Sequence, residues 1–228
     1  MTERRHSLTR EAIEAGAVEQ MMLNCGIPIR VLSEAEREAS LDGTLAAHPA
    51  AGSDIWLFAY GSLIWNPTIA FAERCTGTIR GWHRRFCLSS PVGRGTPERP
   101  GLMLGLDRGG SCRGVAYRVP SQAARDELTV VWRREMVTGA YRPRWVHVAV
   151  AGREVPAIAF VVNRDGPNYV GAMPRERMVE RLAVAAGRLG SSADYLFETA
   201  KALALAAVPD RHLEDLAAAV RAAQANRG

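Results

Sequence analysis

The segment Ile55-Trp56-Leu57-Phe58-Ala59-Tyr60 constrains this chain more than any other: an unbroken apolar and aromatic run, followed at once by Gly61. A run of that length ending in a glycine reads as a strand covered on both faces, because amphipathic helices are longer and keep a polar stripe. Such a strand needs packed structure on either side of it. The rest of the pattern says what that structure is.

Before Asp54 the pattern is helical. Thr9 can cap a segment with Ile13, Ala17 and Met21 on one face, and Ser33 to Glu36 has capping-box spacing. The breaker-rich stretch from Pro49 to Ser53 reads as a linker, so residues 1–53 form a separable helical N-terminal extension. Strands are then expected at 76–80, 82–89, 102–106, 113–119, 144–150 and 155–162, with hairpin turns at 108–111 and 151–153. A helix is expected from a Ser121 cap toward Trp132. Further helices follow Pro174, Ser192 and Asp210, separated at Gly190 and Pro209. Strands joined by hairpins, with helices at the ends rather than alternating, define an α+β fold with a mixed or antiparallel sheet. Residues 54–216 read as its body and 217–228 as a helix end and tail.

Composition excludes several classes. The 228 residues are 47% hydrophobic and 23% charged, which suits a folded domain and not a disordered or fibrous chain. No apolar run approaches the roughly 20 residues of a membrane helix, and the charged start has no hydrophobic segment behind it; a cytoplasmic protein with no membrane partner is expected. Cys25, Cys75, Cys87 and Cys112 lack both zinc-ligand and disulfide-framework spacing, and the five histidines lack metal-ligand spacing. The net charge of +5 is concentrated between Glu73 and Arg118, where nine arginines face three acids. That excess suits a small anion better than nucleic acid, since no nucleic-acid-binding motif accompanies it. Nothing in the pattern specifies an oligomeric state.

Four segments can carry chemistry. In Phe58-Ala59-Tyr60-Gly61-Ser62-Leu63-Ile64-Trp65 a strand ends in a glycine turn whose successive N–H groups can cradle a carboxylate or oxyanion, with Gly61 free to take positive φ. A plain strand end with an aromatic cover fits the same residues. Tyr60 and Ile64 stand where a hydrolase nucleophile motif around Ser62 would need glycines. The loop Gly93 to Gly101 offers Arg94 as a planar carboxylate clamp or as a surface arginine on a flexible connector. Arg133-Arg134-Glu135-Met136 places a carboxylate at a helix C-terminus, where the adjacent arginines can neutralise it. The loop Asn163 to Gly171 contributes Tyr169, an aromatic able to line a pocket.

Taken in order, these segments resemble the ChaC family of γ-glutamylcyclotransferases, and in particular its longer bacterial members. The resemblance rests on residues 58–65, on the loop 94–101, on Cys112-Arg-Gly-Val-Ala-Tyr-Arg118, on Arg133 to Met136 with Gly139-Ala140-Tyr141, and on Asn168-Tyr169-Val170-Gly171. Ala172 departs from it, standing where the family commonly has proline. The resemblance implies a barrel-like mixed sheet surrounded by helices, and cleavage of glutathione to 5-oxoproline and cysteinylglycine with no metal or organic cofactor. It implies Glu135 as the catalytic glutamate and Tyr60, Gly61, Ser62 and Leu63 as the substrate loop. Arg94 and Tyr169 are then candidates for contacting the glycine end of the substrate. Alternatives are action on other γ-glutamyl amines, a non-enzymatic role in regulating cation transport, and an RNA-binding module using the arginine excess.

Overall fold

The computed structural model describes residues 8–50 and 52–227. Three helices come first: α1 (Arg10–Glu14), α2 (Ala17–Leu23) and α3 (Glu34–Ala46). The Thr9 hydroxyl caps α1 as expected, but Gly16, at φ +79°, breaks the anticipated single helix in two. The phase shift exposes Ala17 and turns Val18 inward beside Ile13 and Met21. At α3 both halves of the Ser33–Glu36 capping box are made.

The body is a closed five-stranded barrel. Its strands are β1 (Ile55–Ala59), β2 (Glu73–Ser90), β3 (Gly101–Val119), β4 (Tyr141–Val150) and β5 (Arg153–Val162), in the order β1-β3-β2-β4-β5. All five residues of β1 are buried, as its apolar run requires. Parallel contact of β5 with β1 and β3 closes the barrel. The turn at Ala151 and Gly152 joins β4 to β5 as expected, but the hairpin expected at 108–111 does not exist. There β3 runs straight through, and the strand pairs expected on either side of 81 and of 108–111 are two long bent strands. Between the pairings Arg80 with Ser111 and Trp82 with Arg108 the register shifts, with Gly81, Gly109 and Gly110 all at positive φ. Glycines that permit a turn equally permit a bulge that bends a continuing ladder. The real connection between β2 and β3 is the loop that carries Arg94.

Between β3 and β4 lies α4 (Ala124–Glu135). Ser121 does not cap it; its N–H donates to Asp54, and Ala123 occupies the cap position without a side-chain bond. The chain ends in α5 (Arg175–Val184), a two-residue ribbon of β6 (Ala186–Gly187) and β7 (Gly190–Ser191), α6 (Ser192–Leu205) and α7 (Arg211–Ala225). The cap of α6 is Ser191, in a capping box with Asp194, rather than Ser192, whose hydroxyl is buried and spent on the Arg94 loop. Asp210 caps α7 as expected, and that helix continues past Leu216 with Ala217 and Val220 buried.

The N-terminal helices do not stand apart from the barrel. Ile13, Val18 and Met21 share a buried cluster with Val92, Val130 and Val137. Arg10 pairs with the buried Glu127 at 2.5 Å, Arg133 bridges to Glu34 at 2.8 Å, and the Leu32 N–H donates to the Val137 carbonyl at 2.8 Å. Trp132, buried on α4, packs edge-on against Phe160 of the barrel and donates to Ser40 of α3. The last turns of α4 are thus held from both sides.

Candidate active site

Glu135 is the last residue of α4, and it enters a cavity of about 130 Å³ at one end of the barrel. Ser62, Trp65, Arg94, Arg134 and Tyr195 line the same space. A smaller recess holds Tyr60, Gly61, Ser62 and Leu63 with Tyr141 and Tyr195, and Glu135 lines both. Segments separate in sequence therefore converge on one carboxylate.

Burial raises the Glu135 pKa above its ordinary value, because the charged form loses hydration. The Arg134 guanidinium, 3.1 Å away, acts in the opposite direction. Arg134 is itself fixed by donation to the Asn66 carbonyl at 2.5 Å. The sequence reading of an adjacent arginine neutralising Glu135 holds for Arg134, while Arg133 turns outward to Glu34.

Three tyrosines surround the carboxylate, and each is kept neutral. Burial raises Tyr60 and Tyr141 well above the usual phenol value, and it pushes Tyr195 up to about 12. Tyr60 donates to the Phe160 carbonyl at 2.7 Å and Tyr141 to the Leu104 carbonyl at 2.8 Å, so both are structural anchors. Tyr195 escaped sequence reasoning. It lies 60 positions from Glu135 on α6, and no local pattern distinguishes it from a packed aromatic.

Gly61 is required for a different reason from the one anticipated. Its φ is −138°, not positive, but a Cβ there would stand 3.0 Å from the Tyr195 hydroxyl. Close approach of α6 is what excludes a side chain. Beyond Gly61 the chain turns through a short 3₁₀ segment, Ser62–Ile64, whose first N–H groups have no partner within the turn. The Tyr117 hydroxyl donates to the carbonyls of Leu63 and Ile64 and fixes the turn from below.

Arg94 is no surface arginine. It is 7% exposed and lies near the faces of Trp65 and Tyr195, with its guanidinium carbon 5.9 and 5.4 Å from their ring centroids. Among the described residues no carboxylate pairs with it, and burial lowers its pKa. The loop is pinned: the Arg94 N–H donates to Ser90, and the Ser192 hydroxyl donates to the Arg94 carbonyl at 2.9 Å. Gly187 packs so tightly against it that a Cβ would come within 2.5 Å of the Gly95 carbonyl.

Tyr169 is not brought to this cavity. Its hydroxyl donates to Asp107 at 3.0 Å, and Arg164 and Arg85 also bind that fully buried carboxylate. Asn168 lines the cavity instead.

The barrel thus presents a carboxylate beside a glycine turn and an arginine that pairs with no carboxylate among the described residues, all lining one cavity of a size for a small ligand. The model of the family described as ChaC-like protein matches residues 55–223, and the chain belongs to that family. Among its relatives, the glutathione-specific γ-glutamylcyclotransferase of Escherichia coli is 42% identical over 207 residues, covering 90% of this chain and 86% of the relative. The mouse glutathione-specific γ-glutamylcyclotransferase 1 is 32% identical, covering 73% and 78%. The crystal structure of a yeast γ-glutamyl cyclotransferase specific to glutathione superposes with a TM-score of 0.68 at 23% identity, covering 74% of this chain and 96% of the yeast one. The last of these shows the fold: the expected α+β class and barrel-like sheet with surrounding helices are both present.

Proposed function

We propose that this protein is a γ-glutamylcyclotransferase that cleaves glutathione to 5-oxoproline and cysteinylglycine. The observation that carries the reading is Glu135, the one carboxylate among the described residues that lines the cavity, set there with Arg94, a guanidinium that has no acid partner among the described residues. The names of the relatives support the same substrate.

The reaction needs little from the protein beyond alignment and one proton carrier. The substrate's α-amine attacks its own γ-carbonyl carbon and closes a five-membered ring. Holding the two aligned replaces part of the entropic barrier. An α-ammonium cannot attack, so Glu135 takes its proton and later gives it to the departing cysteinyl nitrogen. A raised pKa suits both halves of that task, and Arg134 keeps the charged form accessible. The N–H groups of Ser62 and Leu63, at the start of the turn, hold the substrate carboxylate or the developing oxyanion. Arg94 takes a carboxylate of the substrate, which supplies the acid partner that its own chain withholds. Tyr195 stays a neutral hydroxyl beside the turn at working pH. All four cysteines are free thiols, in keeping with a reducing compartment such as the cytoplasm.

The test is incubation with glutathione and with N-acetylglutathione, followed by mass spectrometry. Release of 5-oxoproline from the first and no cleavage of the second is the expected result. Free glutamate as the main product would replace cyclisation by hydrolysis.

A further inference from the structure

The cavity has a second half that the proposed reaction does not use. Leu8, Val18, Met21, Met22 and Ile29 of the N-terminal extension line the same space as Glu135 and Arg94, facing Leu189 and Val92 of the body. This wall lies outside the region matched by the family model, which begins at residue 55. Glutathione is polar nearly throughout, and its one apolar arm is the short cysteine methylene and thiol. An apolar wall that includes two methionines is larger than that arm needs. Methionine side chains are flexible and polarizable, so such a wall accommodates groups of differing shape.

Resting on the activity proposed above, we infer that the site also accepts thioether conjugates of glutathione, with the sulfur substituent lying on the wall built by Met21, Met22 and Ile29. The chemistry is unchanged. The α-amine nitrogen bonds to the γ-carbonyl carbon, the amide bond to the cysteinyl nitrogen breaks, and the amine proton passes through Glu135 to that nitrogen. The products are 5-oxoproline and an S-substituted cysteinylglycine, and no water or redox partner is consumed. The polar anchors stay with the γ-glutamyl head and the carboxylates while the substituent leaves water. Each methylene buried is worth about fourfold in binding.

The experiment compares glutathione with S-methyl-, S-butyl- and S-hexylglutathione, measuring 5-oxoproline release. The expected result is a kcat/KM that rises at least about tenfold from S-methyl to S-hexyl. Met22→Gln and Ile29→Gln, at half-buried positions that a folded chain tolerates, should flatten that rise. A flat or falling series in the wild type, or an unchanged slope in folded variants, overturns the inference even where glutathione itself is cyclised. If neither glutathione nor any conjugate is cyclised, the activity proposal has failed, and calorimetry then decides the wall alone. Tighter binding of S-hexyl- than of S-methylglutathione supports it, and equal binding overturns it.

Discussion

Arg94 and Tyr169 look alike in the sequence: each is a large polar side chain on a glycine-containing loop, and each was a candidate for the same end of a ligand. The fold separates them completely. Tyr169 and two arginines satisfy Asp107, a buried carboxylate of the chain itself, whereas Arg94 is buried beside two aromatic rings with no carboxylate partner among the described residues. Burying an unpaired charge is costly, and a folded chain has no structural reason to bear that cost. With Arg94 in the role proposed above, the difference teaches that a missing partner, more than residue type or loop composition, distinguishes a ligand-binding group from a structural one.

The comparison can be broken at several points. Glu135→Gln should reduce turnover at least about a hundredfold while keeping the fold, because glutamine matches the shape but carries no proton between atoms. In the wild type, the acid limb of the rate profile should lie above the ordinary carboxylate range, since the Glu135 pKa is raised and activity appears only as pH rises through it. The same shift has a stability consequence of opposite sign. A raised folded pKa means that stability falls as pH climbs from the unfolded value through the folded one, so Glu135→Gln should show a smaller drop in Tm between acid and neutral pH. An unchanged drop would mean that ionising Glu135 costs the fold nothing.

Arg94→Met comes next. Loss of a buried charge-assisted contact to the substrate costs about 3 kcal/mol, near a hundredfold and mostly in KM. Unlike most truncations of a buried residue it should leave Tm unchanged or higher, because the unpaired charge goes with it. A large fall in Tm with normal KM would make Arg94 structural and erase the contrast with Tyr169. The smallest effect is expected for Tyr169→Phe, with kcat/KM within about twofold of wild type and stability lower by about 1 kcal/mol from the lost bond to Asp107. A strong rise in KM there would return Tyr169 to the site.

Much of this was legible before folding. The apolar run of β1, the Ser33 capping box, the Thr9 and Asp210 caps and the turn at Ala151 and Gly152 are local physics, and the structure has each of them. The errors fell where two outcomes share one local signal. Glycines at positive φ serve a hairpin or a bulge, and only pairing with a distant strand decides between them at Gly109 and Gly110. Ser191 and Ser192 are equally good caps, and burial of Ser192 under the Arg94 loop settles which one serves. In the site, Glu135 and the turn at 60–63 were suggested by resemblance to a family. Tyr195 could not be found that way, because its place beside Gly61 exists only once α6 has docked on the barrel.

The barrel closes along an unusual line. Only the parallel pairings of Trp56 with Ala157, Leu57 with Ile158 and Leu106 with Val161 join β5 to its neighbours there, against the long antiparallel ladder of β2 and β3. The Tyr60 hydroxyl crosses the same line to the Phe160 carbonyl, immediately before the turn at Gly61. A short ladder is where a closed sheet opens first. Amide hydrogens of Leu57 and Ile158 should therefore exchange ahead of those in the middle of β2, and a ligand seated on the turn should slow them. The pocket and the weakest joint of its scaffold then rise and fall together with temperature.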